Sequence, residues 1–239
     1  MNNKLQESKI KQLFIQREII TNMDIACLYK EKEPMIPEAT VNWRIYHLVQ
    51  KGMIQRIGRG KYREGQARPF SPNLSLKTIK AGKLIGKEFP YINYCIWELS
   101  VINSFSQHLI NYNVTFLEVE REVIDSVYRA LKDMRYKVIR IKDITEDLSD
   151  YAGYICVRAL VTEAPVLKEK DGQMASLEKI LVDLYCDKEF LPFQGNEIYH
   201  IYRTAFEDYT VNESTMLRYA NRKEKKNEIE VILNSIKRQ

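Results

Sequence analysis

The sequence predicts a mixed α/β (α+β) protein, with a winged helix-turn-helix domain over residues 1–68 and an α/β domain with C-terminal helices over residues 69–239. Three helical patterns precede a short basic hairpin, β-prone runs alternate with helical patterns after Tyr91, and further helical patterns end the chain. With 239 residues, of which 45% are hydrophobic, the chain can bury two cores.

Two short helices are predicted near the start of the chain. Apolar residues recur at helical spacing between Ile10 and Phe14, and Ile19 is a candidate extension of this first helix. Thr21 or Asn22 is expected to cap the second helix, because such side chains accept hydrogen bonds from the free N–H groups of a first turn.

A third helix and a hairpin follow between Pro37 and Arg63. Pro37 suits the first turn of a helix. Four apolar residues then recur at helical spacing: Val41, Ile45, Leu48 and Val49. Gly52 can take the left-handed conformation that ends a helix, and Gly58-Arg59-Gly60 allows the tight reversal of a hairpin. Three helices and a basic hairpin are the order of a winged helix-turn-helix, in which the third helix enters the major groove of DNA.

The apolar stripe of the third helix should face its own core, so its other side chains are candidates for DNA contact. Asn42 has the amide geometry that pairs with an adenine edge, and Thr40 suits a phosphate or a thymine methyl. For Arg44, a base contact, a phosphate contact and neither all stay open. Trp43 and Tyr46 either reach the groove or pack against the second helix and the hairpin, and both alternatives stay open. The predicted DNA-binding residues are Thr40, Asn42, Trp43, Arg44, Tyr46, Arg56, Arg59 and Lys61.

Positive charge is concentrated in the first part of the chain. Residues 1–88 contain 17 Lys and Arg against 8 Asp and Glu, a net charge of +9, and residues 89–239 contain 20 against 24, a net charge of −4. This asymmetry indicates that the first part binds phosphate groups and that the second part binds a different kind of partner. The alternative is that the basic residues only form a solvated surface.

The segment 64–73 contains two prolines and no apolar period, which is typical of a linker. A short amphipathic helix is predicted between Leu76 and Ile85. From Tyr91 the pattern is β-α-β-α-β, which favours a partly parallel sheet with crossover helices. The predicted strands are INYCIWEL, VTFLEVE, YKVIRIK, YICVRAL and APVLKE, and the predicted helices are VINSFSQHL, REVIDSVYRALKD, SLEKILVDLYCD, NEIYHIYRTAFEDY, ESTMLRYANRKE and NEIEVILNSIKRQ.

Membrane and metal signals are missing from the sequence. No apolar run approaches the roughly 18 residues of a membrane span, and the first residues lack the apolar core of a secretory signal, so we expect a cytoplasmic protein. The four cysteines make no CxxC pair, and we interpret them as buried reduced thiols. We therefore predict neither a metal site nor a cofactor.

An enzyme is the rival class, because Glu98, Glu118, Glu120 and Asp125 are acids of the second domain. Glu118 and Glu120 alternate at the end of a predicted strand and would hold a divalent cation if another carboxylate converged on them. No lysine follows at the spacing of restriction-type nucleases, and phosphate-loop, dinucleotide, zinc-protease and hydrolase motifs are missing. These acids are more typical of the start of a helix, so we predict no catalytic residue.

Three segments carry a family resemblance: LVQKGMIQRIGRGKYR, FPYINYCIWELSVIN, and VTEAPV followed by SLEKILVDLYCD. With both modules in this order, the chain resembles the AbiEi-type antitoxins of bacterial abortive-infection systems. The resemblance implies an N-terminal domain that binds promoter DNA and represses its own operon, with Thr40, Asn42, Trp43 and Arg44 on the groove helix and Arg59 at the wing tip. It also implies a C-terminal domain that acts as antitoxin against a nucleotidyltransferase-like toxin encoded beside it.

The sequence and the resemblance together predict a DNA-binding transcriptional regulator that is an autorepressor and an antitoxin. Its expected partners are double-stranded promoter or operator DNA and a nucleotidyltransferase-like toxin, with a homodimer left open. Two alternatives remain. One is a stand-alone regulator without a toxin, and the other is an α/β enzyme, a nuclease or a nucleotidyltransferase-like protein, tethered to DNA.

Overall fold

The computed structural model describes residues 4–65, 68–145, 147–169 and 172–237. It divides into two compact units, one of residues 1–70 with 203–217 and the other of residues 71–202 with 218–239. Helices and strands occur in both halves of the chain, so the predicted mixed α/β class is confirmed. The sequence-based division had placed residues 203–217 with the second domain.

The first unit contains helices packed on a small antiparallel sheet. Its elements are α1 (Glu7–Gln16), β1 (Ile19–Thr21), α2 (Asn22–Lys32), α3 (Glu38–Gln50), β2 (Ile54–Gly58) and β3 (Lys61–Glu64). The strand order is β1-β3-β2, with Ile20 opposite Tyr62 and Gln55 opposite Arg63. The expectation that Ile19 extends the first helix is wrong. Two adjacent isoleucines and a threonine favour a strand, and pairing with β3 fixes them there.

Local signals set the ends of α2 and α3. Thr21 caps α2: its hydroxyl accepts a hydrogen bond from the backbone N–H of Asp24 at 3.3 Å, and the Asp24 carboxylate accepts one from the backbone N–H of Thr21 at 2.7 Å. α3 starts directly after Pro37. It ends at Gln50, and Gly52, two residues later, has the predicted left-handed φ, at 67°.

One apolar core lies between the helices and the sheet of the first unit. Its buried members are Leu5, Ile10, Ile20, Ile25, Leu28, Tyr29, Ile36, Val41, Ile45, Leu48, Ile54 and Tyr62. The three α3 residues in this set are separated by four and three positions, so they form the predicted stripe on one side of that helix.

Residues 203–217 join the first unit through specific contacts. The Gln55 side chain donates a hydrogen bond to the buried Val211 carbonyl at 2.8 Å. The Tyr209 ring packs edge-on against Phe70 with centroids 5.3 Å apart, and Arg68 forms an isolated β-bridge with Tyr209. Part of the predicted linker is therefore tied to this later segment, while Gln66 and Ala67 of the linker lie outside the described residues.

The second unit is built on a six-stranded mixed sheet. Its elements up to residue 186 are α4 (Leu76–Glu88), β4 (Tyr94–Glu98), β5 (Thr115–Val119), α5 (Ile124–Asp133), β6 (Val138–Arg140), β7 (Ile155–Ala159), β8 (Val166–Glu169), β9 (Gly172–Ala175) and α6 (Leu177–Cys186). The strand order is β6-β7-β5-β4-β9-β8. Strand β7 is parallel to both β6 and β5, whereas β4 is antiparallel to β5 and parallel to β9, which confirms the predicted partly parallel sheet.

Two details of the second unit differ from the prediction. VINSFSQHL does not form an α-helix, since only Leu99–Ser104 is helical and it is a 3-10 turn. Strand β9 was not predicted, because its sequence GQMA has neither β-branched nor aromatic residues. Its pairing with both β4 and β8 holds it in the sheet instead.

Helices complete the chain, as predicted. Their bounds are α7 (Asn196–Asp208), α8 (Glu213–Arg222) and α9 (Lys226–Lys237). Within the described ranges, no helix combines the length and the apolar character that a membrane crossing requires.

The four cysteines are free thiols. Cys95 and Cys156 are buried, and burial raises the pKa of Cys156 to about 12. The prediction of buried thiols is wrong for Cys27, which is exposed. It lies on the outer face of α2, because Ile25, Leu28 and Tyr29 form the face that packs into the core.

Candidate nucleic-acid interface

The side of α3 that faces away from the core is polar and aromatic. Trp43 is 53% exposed and Tyr46 is 58% exposed, so neither is a core residue, and Asn42 between the buried positions is exposed too. The His47 ring lies beside both aromatic residues, with centroid distances of 4.1 Å to Trp43 and 5.5 Å to Tyr46. This face offers amide, indole and phenol groups to a binding partner.

Thr40 stands near the start of α3 and is half-buried, with its backbone N–H bonded to the Pro37 carbonyl at 3.0 Å. Its side chain is therefore less available than that of Asn42. Thr40 belongs to the first turn of α3 and Asn42 to the second, near the helix end whose dipole favours anions.

Arg44 does not belong to the exposed face. It is 5% exposed, and its guanidinium Nη2 donates to both carboxylate oxygens of Glu33 at 2.9 Å while the guanidinium carbon lies 4.7 Å from the centre of the Tyr29 ring. The prediction of Arg44 as a DNA contact is therefore wrong. It lies three residues after Val41 and four before Leu48, so helical geometry turns it toward the core side.

The hairpin between β2 and β3 presents basic side chains. Arg59 and Lys61 are exposed, while Arg56 is half-buried and its Nε donates to the Gly58 carbonyl at 3.2 Å. Gly60 takes a φ of 67° at the turn, and its carbonyl accepts from the backbone N–H of Asn22 at 3.0 Å. The hairpin is thus fastened to the start of α2.

Some of the predicted residues surround one cavity of about 280 Å³ in the first unit. Its lining residues are Asn22, Asn42, Ile45, Tyr46, Val49, Arg56, Tyr62 and Asn212. The structure therefore brings Asn42 and Tyr46 of α3 together with Arg56 of β2. Thr40, Trp43, Arg59 and Lys61 do not line this cavity.

Sequence analysis missed three members of that lining, Asn22, Tyr62 and Asn212. Asn22 was considered only as a helix cap, and Tyr62 sits opposite Arg56 in the hairpin register. A candidate signal for Asn22 was its place at a helix start, whereas its contact with the hairpin at Gly60 arises only in the fold. Asn212 had no sequence signal, since it comes close to α3 only through the fold.

Charge balance differs between the hairpin and the rest of the first unit. Arg59 and Lys61 form no ion pair with any residue in the described part of the chain. Lys51, in contrast, lies 2.7 Å from Glu7, and Arg17 lies 2.8 Å from Asp24. The positive charge of the hairpin is therefore not neutralised within that part of the protein.

The acids considered for an enzyme do not converge. Glu118 is buried, whereas Glu120 accepts hydrogen bonds from the backbone and side chain of Asn93 at 3.1 and 2.8 Å. Glu98 is bonded to Ser75 and Thr78, and Asp125 to Arg140. Among the described residues, no group of three His, Cys, Asp or Glu side chains is arranged to hold a metal ion.

Glu118 instead belongs to a buried ionic cluster that the sequence analysis did not identify. Its Oε1 accepts from the Trp97 indole at 3.0 Å, from Arg158 at 2.8 Å and from Lys179 at 2.6 Å. Lys179 and Arg158 also pair with Asp183, at 2.5 and 3.0 Å. The spacing of Lys179 and Asp183, four residues apart within an apolar helix, was the available signal.

Electrostatics in this cluster favour the charged forms. Burial opposes charge on Glu118 and Asp183, but the neighbouring cations Lys179 and Arg158 outweigh it, so the pKa of each carboxyl is lowered. The pKa of Lys179 is raised, because the attraction of Asp183 and Glu118 exceeds the cost of burial. A lysine that stays protonated cannot act as a nucleophile or a base.

Comparison with known proteins gives one family. Residues 40–239 match the model of a family of unknown function, DUF6577. The matched range begins within α3 and continues through the hairpin to the end of the chain. No curated protein matches the sequence significantly.

Proposed function

This chain belongs to DUF6577, a family of unknown function, and we propose that it is a transcriptional regulator that binds duplex DNA through its first unit. Because the family match gives no function, this role is inferred from the chain's own residues. The proposal takes that unit as a winged helix-turn-helix. Three helices and the order β1-β3-β2 support this, with the β2–β3 hairpin as the wing. The main support for the proposal is that the exposed face of α3 and the hairpin belong to the same compact unit. The hairpin residues Arg59 and Lys61 have no ion pair within the described residues.

In the proposed complex, α3 lies in the major groove. Asn42 binds an adenine edge through its side-chain amide, since this side chain is exposed and does not pack in the core. Trp43 and Tyr46 supply apolar contact to thymine methyl groups or sugars. Thr40 contacts a phosphate near the start of the helix. Arg44 has no place in this contact set.

The hairpin contacts the phosphate backbone beside the groove. Arg59 at the turn and Lys61 at the start of β3 are exposed cations, and Arg56 stands at the cavity next to α3. Such contacts release counterions from DNA, so they raise affinity for every sequence and weaken with salt. Base contacts by α3 then supply the preference for one site.

We propose that the protein acts in the cytoplasm and represses transcription of its own gene. A reporter gene placed behind the DNA upstream of the protein's own gene should be expressed less when the chain is present. Asn42→Ala and Arg59→Ala should relieve repression, while Arg129→Ala, at an exposed arginine of α5 in the second unit, should not. Equal reporter expression with and without the wild-type chain would contradict the proposal.

The antitoxin role is the more specific version, and it is supported by the resemblance of the second-unit segments FPYINYCIWELSVIN and SLEKILVDLYCD to AbiEi-type antitoxins. In this version the second unit protects the cell against a nucleotidyltransferase-like toxin encoded beside it. Co-expression with the product of the neighbouring gene tests it. Growth that fails with the neighbouring product alone and recovers with both proteins supports the role, whereas no growth defect from the neighbour contradicts it.

A further inference from the structure

We propose that a cavity in the second unit binds a nucleoside monophosphate whose base carries an amino group. The cavity has a volume of about 450 Å³, and its lining residues all belong to that unit. Small-molecule sites in proteins typically have volumes of roughly 300–1,000 Å³, so a mononucleotide is a ligand of suitable size. Such a site is independent of DNA binding by the first unit.

The cavity lies where two parallel strands end side by side. Val119 of β5 is paired with Ala159 of β7, and the residues that directly follow them, Glu120 and Leu160, line the cavity. From β5 the chain continues toward β6 at one end of the sheet, whereas from β7 it continues to β8 at the other end. Connections that leave neighbouring strands in opposite directions open a crevice at the carboxyl ends of the strands, which is where α/β sheets bind ligands.

The segment between β7 and β8 forms one wall of the cavity. It has six residues, 160–165, and passes β5, β4 and β9, a distance of roughly 19 Å at four strand spacings. Residues 160–164 line the cavity. Glu163 has a left-handed φ of 62°, and its Oε1 accepts from Nε and Nη2 of Arg222 at 3.0 and 2.7 Å. The ion pair anchors this wall in a backbone conformation that non-glycine residues rarely adopt.

Glu120 presents an oriented carboxylate to the cavity. Its Oε1 accepts hydrogen bonds from the backbone N–H of Asn93 at 3.1 Å and from the Asn93 side-chain amide at 2.8 Å. These two hydrogen bonds lower the pKa of the Glu120 carboxyl, so the group is ionised at neutral pH. In the proposed complex the other oxygen, Oε2, accepts from the amino group of the base, as carboxylates do with the amino group of cytosine.

Lys168 supplies a positive charge on the far side of the cavity. It belongs to β8, which lies three positions from β5 in the sheet, or roughly 14 Å between the two strands. An α-amino acid carries its ammonium and carboxylate on one carbon, so it would not reach both Glu120 and Lys168. A mononucleotide has its amino group on the base and its phosphate at the opposite end, and a lysine ammonium binds phosphate as a point charge.

The remaining lining suits the body of a nucleotide. Leu160, Val161 and Val166 are half-buried apolar residues of the cavity, and the face of a base ring would cover them. Thr162 and Gln173 add a hydroxyl and an amide, which match the hydroxyl groups of a sugar. Apolar walls with a few polar groups are the usual composition of a small-molecule site.

The test is the affinity of the full chain for two matched pairs of nucleotides, measured by calorimetry. AMP carries an amino group where IMP has a carbonyl oxygen, and CMP differs from UMP in the same way. Because the Glu120 carboxylate attracts an amino group and repels a carbonyl oxygen, AMP, CMP or both should bind at least about tenfold more tightly than the matched partner.

Two variants assign the contacts. In Glu120→Gln the side-chain amide both donates and accepts, so the affinity ratio within a pair should fall to about one. Lys168→Gln should reduce nucleotide affinity to that of the corresponding nucleoside, adenosine or cytidine, whose own affinity should not change. The matched controls are Glu122→Gln and Lys188→Gln, at exposed residues outside the lining, and both should behave as the wild type does.

Four results would overturn the inference. The first is no binding of AMP or CMP at millimolar concentration, and the second is equal affinity within both pairs for the wild-type chain. The third is inorganic phosphate binding as tightly as the nucleotides, which would mark a phosphate site only. The fourth is unchanged affinity in both cavity variants, which would place the nucleotide elsewhere. Lys168 is exposed, so Lys168→Gln tests the cavity even if Glu120→Gln unfolds.

Discussion

Arg44 Nη2 lies 2.9 Å from both carboxylate oxygens of Glu33. Arg44 belongs to α3, and the opposite face of that helix is proposed to bind DNA. The pair joins α3 to the end of α2, and the guanidinium covers the Tyr29 ring. One helix therefore has two faces with separate roles. Substitutions on the Arg44 side should change stability, and substitutions on the Asn42 side should change DNA recognition.

Arg44→Ala should lower the free energy of unfolding of the first unit by about 1–3 kcal/mol, because it removes a charge-assisted pair and buried packing while Glu33 stays partly in water. Urea unfolding measures the loss. DNA affinity, measured where the variant is still folded, should match the wild type. A well-folded variant that has lost its preference for the upstream DNA would show that Arg44 contacts bases.

Asn42→Ala should cost about 1–3 kcal/mol of binding on the upstream duplex and little on a scrambled one, since a lost bidentate contact to adenine affects a single sequence. Fluorescence anisotropy on both duplexes gives the two affinities. Asn227→Ala, at an exposed asparagine of α9, is the control. Equal losses on both duplexes would make Asn42 a phosphate contact.

Arg59→Ala should weaken binding to all duplexes and make the salt slope shallower by roughly 0.9, the amount expected for one lost phosphate contact. Titrations at several salt concentrations measure the slope. Because Arg59 is exposed and makes no ion pair within the described residues, the melting temperature should not change. An unchanged slope removes the hairpin tip from the contact set.

Asp183→Asn should destabilise the second unit by about 3–5 kcal/mol, since it leaves the fully buried Lys179 short of a counterion. Glu163→Gln is the matched control. It breaks the exposed pair of Glu163 with Arg222, whose worth is about 0–1 kcal/mol. Similar unfolding midpoints for the two variants would show that the buried cluster does not hold the unit together.

The buried cluster should also make the second unit sensitive to acid. Glu118 and Asp183 have lowered pKa values in the folded protein, so the unfolded chain takes up protons at a higher pH than the folded chain does. Their contribution to stability is complete at neutral pH and falls as the pH drops below about 4, the range where unfolded carboxyls titrate. Burial and Asp183 raise the pKa of Asp187, which offsets part of this effect.

Urea midpoints between pH 7 and pH 3 measure the acid sensitivity. The wild-type midpoint should decline through the acid range, and Asp183→Asn should decline less steeply because one of the responsible carboxyls is missing. Parallel curves for the two proteins would place the acid sensitivity elsewhere in the chain.

Features that depend on neighbouring residues in the chain were predictable from the sequence. The Thr21 cap, the stripe of Val41, Ile45 and Leu48, and the left-handed Gly52 each follow from local backbone geometry. The turn at Gly60 and the alternation that builds the mixed sheet follow in the same way.

Features that depend on distant residues were not predictable. β1 forms because β3 lies beside it, 40 residues later, with Thr21 opposite Lys61. Arg44 is buried because it pairs with the Glu33 carboxylate and packs on the Tyr29 ring. Residues 203–217 join the first unit through the Gln55 to Val211 hydrogen bond. The buried cluster assembles from β5, β7 and α6, and its acids resemble surface acids when seen in sequence alone.

The most direct test of the central claim is a titration of the full chain with the duplex upstream of its own gene and with a scrambled duplex of equal length, each at two salt concentrations. We predict tighter binding to the upstream duplex, with a preference that persists at the higher salt because base contacts depend little on counterions. Equal and salt-sensitive binding to both duplexes, or no binding, would contradict sequence-specific regulation by this protein.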